Sequence, residues 1–133
     1  MSMMRKETEN WLSASEYDLI TAEHMFQTGR YLYVVFMCHL SIEKSIKAIV
    51  HEETEKLPPK SHDLIYLSNL AQIQFPENLL DFIGKVNSAS IVTRYPEDLS
   101  KAISAYPKHI VEDYYNNTKE VLHWLRQDRR LKR

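Results

Sequence analysis

Two glycines and five prolines punctuate 133 residues, and that sparseness constrains the fold more than any other feature. A chain of short strands needs turn residues roughly every 8–12 positions; this one has long uninterrupted stretches suited to helix. The apolar residues agree. Trp11, Ser15, Leu19, Ala22 and Met25/Phe26 recur at three- and four-residue steps, with Glu7, Glu9, Glu16, Asp18 and Glu23 on the other side. The spacing predicts a first helix from about Arg5 to Gln27, stopped by Thr28-Gly29-Arg30, where Gly29 suits the left-handed position after a helix end. A second helix is expected from about Tyr31 to Glu53. Its first half, Tyr31 to Cys38, is apolar on all sides and must be covered by the centre of a bundle or by a second subunit, which motivates a homodimer.

Leu57-Pro58-Pro59-Lys60 forbids helix and makes a linker. Ser61 or Asp63 can cap a third helix through about Ala71, with Leu64, Leu67 and Leu70 or Ala71 as its stripe. Pro76 opens a fourth helix carrying Leu79, Leu80, Phe82, Ile83 and Val86 and ending near Arg94-Tyr95-Pro96. A short helical turn follows around Leu99 to Ala105. Pro107 then opens a last helix to about Arg129, with Ile110, Val111, Tyr114, Val121, Leu122 and Leu125 inward. The basic run Arg126 to Arg133 reads as a solvated helix end compensating the macrodipole, or as an RNA-contacting tail. The expected architecture is all-α, one domain over residues 1–133.

Composition narrows the function classes. Apolar residues at 44% and charged residues at 26% describe an ordinary globular domain. A net charge of −1 excludes a uniformly basic nucleic-acid-coating surface but leaves room for a local basic pocket. With Cys38 as the one cysteine there is neither an internal disulfide nor a cysteine metal cluster. The polar Met1–Asn10 segment lacks a signal-peptide h-region, and no window approaches the roughly 18 apolar residues of a membrane span, so a cytoplasmic protein without a membrane partner is expected. P-loop, dinucleotide, HExxH and Gly-x-Ser-x-Gly motifs are missing; no cofactor and no metal are expected.

Three polar signatures carry the chemistry. Glu43 and Lys47 lie four residues apart on one helix face, one turn beyond His39. They are an ordinary helix salt bridge, or a polar line in which Glu43 orients a basic group and Lys47 faces a phosphate. In Ser61-His62-Asp63-Leu64, His62 precedes a helix start. The segment is a cap, or His62 is an acid, base or phosphate contact. Arg94-Tyr95-Pro96 ends a helix with a guanidinium that reads phosphate bidentately and a phenol that can stack on a base. Its structural alternative is an arginine on its own helix carbonyls with Tyr95 packed in the core.

In this order, with Ser15-x-x-Asp18-Leu19-x-x-Ala22, Gly29-Arg30-Tyr31, Glu43-Lys44-x-x-Lys47-Ala48, Ser61-His62-Asp63-Leu64 and Arg94-Tyr95-Pro96, the chain resembles the HEPN family of small prokaryotic helical proteins over nearly its full length. The resemblance implies an up-and-down bundle of four to five helices, commonly a symmetric dimer. Many relatives pair with a minimal nucleotidyltransferase, often as a toxin–antitoxin system; others are metal-independent endoribonucleases. The ribonuclease branch carries an arginine, four to six residues, then a histidine. Here Arg94 is followed by Tyr95, Pro96, Glu97, Asp98, Leu99, Ser100 and Lys101, and the next histidine, His109, is out of register. The resemblance therefore implies a module that binds nucleotide or RNA phosphate and partners a nucleotidyltransferase, with Glu43, Lys44, Lys47, His62, Asp63, Arg94 and Tyr95 as ligand-binding residues and Glu43 orienting Arg94. The alternatives are a divergent endoribonuclease with Arg94 and His62 as catalytic candidates, and a non-catalytic helical dimer that docks and regulates a partner.

Overall fold

The computed structural model describes residues 4–132. These form α1 (Lys6–Gln27), α2 (Tyr31–Thr54), α3 (Leu64–Leu70), α4 (Glu77–Arg94), α5 (Leu99–Ala105), α6 (Lys108–Arg126) and a terminal 3-10 turn (Arg129–Lys132). No strand occurs among the described residues, and none of their helices is long and apolar enough to cross a membrane. The observed boundaries follow the predicted breakers. Gly29 sits at φ 77 between α1 and α2. Pro76 and Pro107 are the residues immediately before α4 and α6. Pro96 forces Tyr95 out of helical geometry, to φ −134 and ψ 68, so α4 stops at Arg94.

α2 is the axis of the bundle, packed by α1, α3, α4 and α6. Val34, Val35, Cys38, Ile42, Ile46 and Ile49 are fully buried in the core. The cover that the all-round apolar segment requires therefore comes mostly from the same chain, and Tyr33 is its one exposed aromatic, at 50%. α1 locks onto α2 through hydroxyls: Ser15 Oγ donates to the Ser41 carbonyl at 2.7 Å, and Ser41 Oγ donates back to the Ser15 carbonyl at 2.9 Å. Ser45 Oγ lies 2.7 Å from Ser15 Oγ, so these three buried serine hydroxyls satisfy one another.

Three expectations are corrected. Asp18, assigned to the solvent side of the first helix, is buried and pairs with Lys44 Nζ at 2.7 Å. It stands three residues after Ser15 and four before Ala22, so it belongs to their stripe. Leu80, grouped with the apolar residues that the fourth helix carries, is 45% exposed while Leu79, Phe82, Ile83 and Val86 are buried. The last helix ends at Arg126 rather than Arg129, and Arg126 and Arg130 of the basic run are tied back to the fold, while Arg133 lies outside the described residues. Arg130 bonds Asp128 Oδ2 at 2.8 Å, Glu53 Oε2 at 3.2 Å and the Ala71 carbonyl. Arg126 reaches the Leu12 carbonyl at 3.4 Å and Glu16 at 3.8 Å.

Candidate functional site

One face of α2 presents His39, Glu43, Lys47 and His51 at four-residue steps, all buried. Four ionisable groups cannot lie inside a core without partners. Glu43 sits at their centre. Its Oε2 accepts from Lys47 Nζ at 3.0 Å, and its Oε1 lies 2.9 Å from His62 Nδ1 and 3.8 Å from His39 Nδ1. Lys47 also rests over the Trp11 ring, 5.7 Å from its centroid. The carboxylate is 4% exposed, whereas the His62 side chain is 55% exposed, so His62 covers the outer end of a buried charge and keeps an open edge of its own.

His62 is held there by the start of α3. Asp63 caps that helix, accepting from the Ile65 and Tyr66 amides at 3.0 and 3.3 Å, while Ser61 Oγ accepts from the Asp63 amide at 3.1 Å. Asn87 of α4 ties the corner down from the other side. Its Oδ1 accepts from the Leu64 amide at 2.9 Å and its Nδ2 donates to Asp63 Oδ1 at 3.2 Å. Sequence reasoning missed Asn87; a lone amide in an amphipathic helix carries no signal until α3 is placed against it.

Arg94, at the end of α4, lays its guanidinium over Phe36 of α2, 4.9 Å from the ring centroid. Its Nη2 is buried with no hydrogen-bond partner, and fully buried His39 stands nearby with Glu43, the Asn87 side chain and the His62 backbone around its ring. Burial pushes the His39 pKa below its ordinary value; Glu43 pulls it back and the Arg94 charge pushes it down further. The site thus joins an imidazole whose protonation is disfavoured to a guanidinium nitrogen that has no partner. A buried donor left unmade costs about 1–3 kcal/mol, and an anion placed there would satisfy it.

The structure therefore brings Glu43, Lys47 and His62 into direct contact, with His39 and Arg94 adjoining them. Glu43, expected to orient Arg94, is engaged by Lys47 and His62 instead. Lys44 points at α1 through Asp18, away from this cluster. Asp63 works as the α3 cap. Tyr95 is 76% exposed, so it is not packed in the core, and it lines a separate cavity of about 440 Å3 with Ile91, Val92 and Lys101. Among the described residues no group of three or more His, Cys, Asp or Glu side chains is placed to hold a metal ion.

Comparison with known proteins agrees with this architecture. Two solved structures share the fold. One is an archaeal HEPN homologue, ST0689, with a TM-score of 0.73, 18% identity, and coverage of 92% of this chain and 97% of that one. The other is TT1696 from Thermus thermophilus, with a TM-score of 0.78, 20% identity, and coverage of 92% and 98%. No curated protein matches the chain. The model of the HEPN domain family matches residues 8–128, nearly the whole sequence. The polar signatures, the bundle and this match lead to one statement of kinship: the chain belongs to the HEPN family.

Proposed function

We propose that this HEPN protein is a binding module that takes a nucleotide or RNA phosphate at Arg94 and works beside a minimal nucleotidyltransferase in a toxin–antitoxin-like pair. The observation that carries the binding reading is the buried, unpartnered Arg94 Nη2 next to His39, whose protonation is disfavoured. An arginine stacked on an aromatic ring keeps its fork pre-organised for a phosphate. His62 adjoins it through Glu43 with a half-exposed ring, and Lys47 holds Glu43 from the other side. The partner chemistry follows the family resemblance.

The same reading includes a homodimer, supported by a surface that takes Tyr33 from the segment the sequence suggested and adds residues of α4 and α5. Ile91, Val92, Tyr95, Leu99, Ile103 and Tyr33 are all exposed and flank α5, bordering cavities of about 440 and 190 Å3. An apolar patch of this kind marks an interface, and it lies beside Arg94, so a second copy would bring two phosphate sites together.

Binding of a short single-stranded RNA and of AMP to the native protein and to Arg94→Ala, followed by calorimetry, tests the proposal. The variant loses binding while its melting temperature stays nearly unchanged, because the lost ring contact, about 0.5–2 kcal/mol, is offset by removal of the unpaired buried donor, about 1–3 kcal/mol. Equal binding by both proteins refutes the phosphate role; a large stability loss makes Arg94 a structural group.

One observation favours the endoribonuclease as a second reading. Glu43 accepts from His62 Nδ1, which leaves Nε2 as a free acceptor on a half-exposed ring, the arrangement of an oriented general base. RNA cleavage in EDTA that vanishes in His62→Ala would establish it; intact RNA beside a working control nuclease would remove it.

A further inference from the structure

The polar line of α2 does not end at Lys47. One turn on, His51 is 8% exposed, and its Nδ1 is buried with no hydrogen-bond partner. It lines a cavity of about 420 Å3 together with Lys6, Glu7, Asn10, Trp11 and Leu57. This cavity lies where the start of α1 meets the end of α2. It shares no lining residue with the cavities flanking α5 and contains neither Arg94 nor His62.

We propose that this cavity is a second ligand site, one that takes an uncharged planar nitrogen heterocycle of nucleobase size between Trp11 and Leu57. Its volume is in the range of small-molecule sites, about 300–1,000 Å3. Two walls are apolar: the partly buried Trp11 indole and Leu57, a leucine 73% exposed on the loop after α2. The indole is pre-organised, because the Lys47 ammonium resting over it is itself fixed by Glu43. A flat ring stacked on such a face gains about 1–3 kcal/mol.

The rim sets the polarity. Asn10 offers a donor and an acceptor, Glu7 an acceptor, Lys6 a donor, and His51 a ring whose Nδ1 has no partner. Lys6 and Glu7 offset one another's charge, so nothing draws in a net anion or cation. Donors and acceptors lining one cavity beside an indole match the edge of a heterocycle that both gives and accepts hydrogen bonds. Arg5, the residue before Lys6, is held by Glu52 and Glu55, and Lys47 over the indole is held by Glu43. The proposal stands apart from the phosphate reading at Arg94.

Tryptophan fluorescence tests it directly in a Trp124→Phe protein, where Trp11 is the one remaining reporter. Titration with adenosine and with cytidine, which lack phosphate, gives a saturable change for at least one of them. Asn10→Ala, an exposed position that does not endanger folding, and His51→Ala each weaken that binding about three- to tenfold, the worth of one net hydrogen bond. Arg94→Ala leaves it unchanged. No saturable change with either nucleoside overturns the proposal, as does equal affinity in both the Asn10 and His51 variants. A signal abolished by Arg94→Ala would move the ligand to the other site and likewise overturn it.

Discussion

Replacing Glu43 by leucine tests the reading of the α2 polar line most severely. The carboxylate is 4% exposed and Lys47 is 7% exposed, with 3.0 Å between their charged atoms. Removing the carboxylate strands a buried ammonium, and an uncompensated buried charge costs about 3–5 kcal/mol. The Trp11 ring already lies under Lys47 in the native protein, so it offsets none of that. Glu43→Leu should therefore destabilise the protein by about 3–5 kcal/mol, against a usual domain stability of about 5–15 kcal/mol. Lys47→Met should cost less, because His62 at 2.9 Å still hydrogen-bonds the carboxylate. Combined as Glu43→Leu with Lys47→Met, the two changes remove both charges and fill the space with apolar atoms; the double variant should recover to within about 1 kcal/mol of the native protein. Urea unfolding followed by circular dichroism, with matching slopes for all four proteins, measures the cycle. A coupling of about 2–3 kcal/mol is expected. Single effects that add to within about 0.5 kcal/mol would refute the reasoning, since each group would then be solvated without the other.

Two further outcomes follow from buried titratable groups. Burial lowers the His39 pKa from 6.5, so the unfolded chain takes up a proton that the folded protein refuses. Stability should be level above about pH 6.5 and fall as the pH drops from there towards the depressed folded value; His39→Leu should flatten that part of a urea-midpoint curve, and an unchanged slope would count against it. Burial pushes the Cys38 thiol up to about 12, its hydrogen bond with Thr118 opposing. Iodoacetamide should label the native protein slower than the urea-unfolded chain by on the order of a thousandfold, whereas prompt labelling of native protein would place Cys38 at the surface.

Much of the fold is legible in the sequence because helix punctuation is local. Gly29, Pro76, Pro96 and Pro107 act through their own backbone geometry, and the breaks at each fall where the sequence puts them. The faces of polar residues are harder to assign. The charge of Asp18 reads outward although its register places it inward, and Lys44 follows it to α1. Glu43, Lys47 and His62 are legible as candidates, yet their contact depends on the fold of the Pro58-Pro59 linker, which no periodicity encodes. Asn87 is invisible for the same reason, since it acts on α3 across 23 positions of sequence.

The arrangement around Glu43 also explains why Arg94 is free. A buried carboxylate beside a guanidinium would ordinarily neutralise it. Here Lys47 and His62 occupy the two carboxylate oxygens first, and Asn87 fixes the α3 corner that delivers His62. Arg94 is left with an aromatic face beneath it and a donor unfilled. Structural pairing and ligand readiness are then two results of one network: the lysine that compensates the core charge also keeps that charge from the arginine. On this view Lys47→Met should weaken phosphate binding at Arg94 without touching the ligand, because the Glu43 oxygen it releases becomes a competing acceptor for the guanidinium.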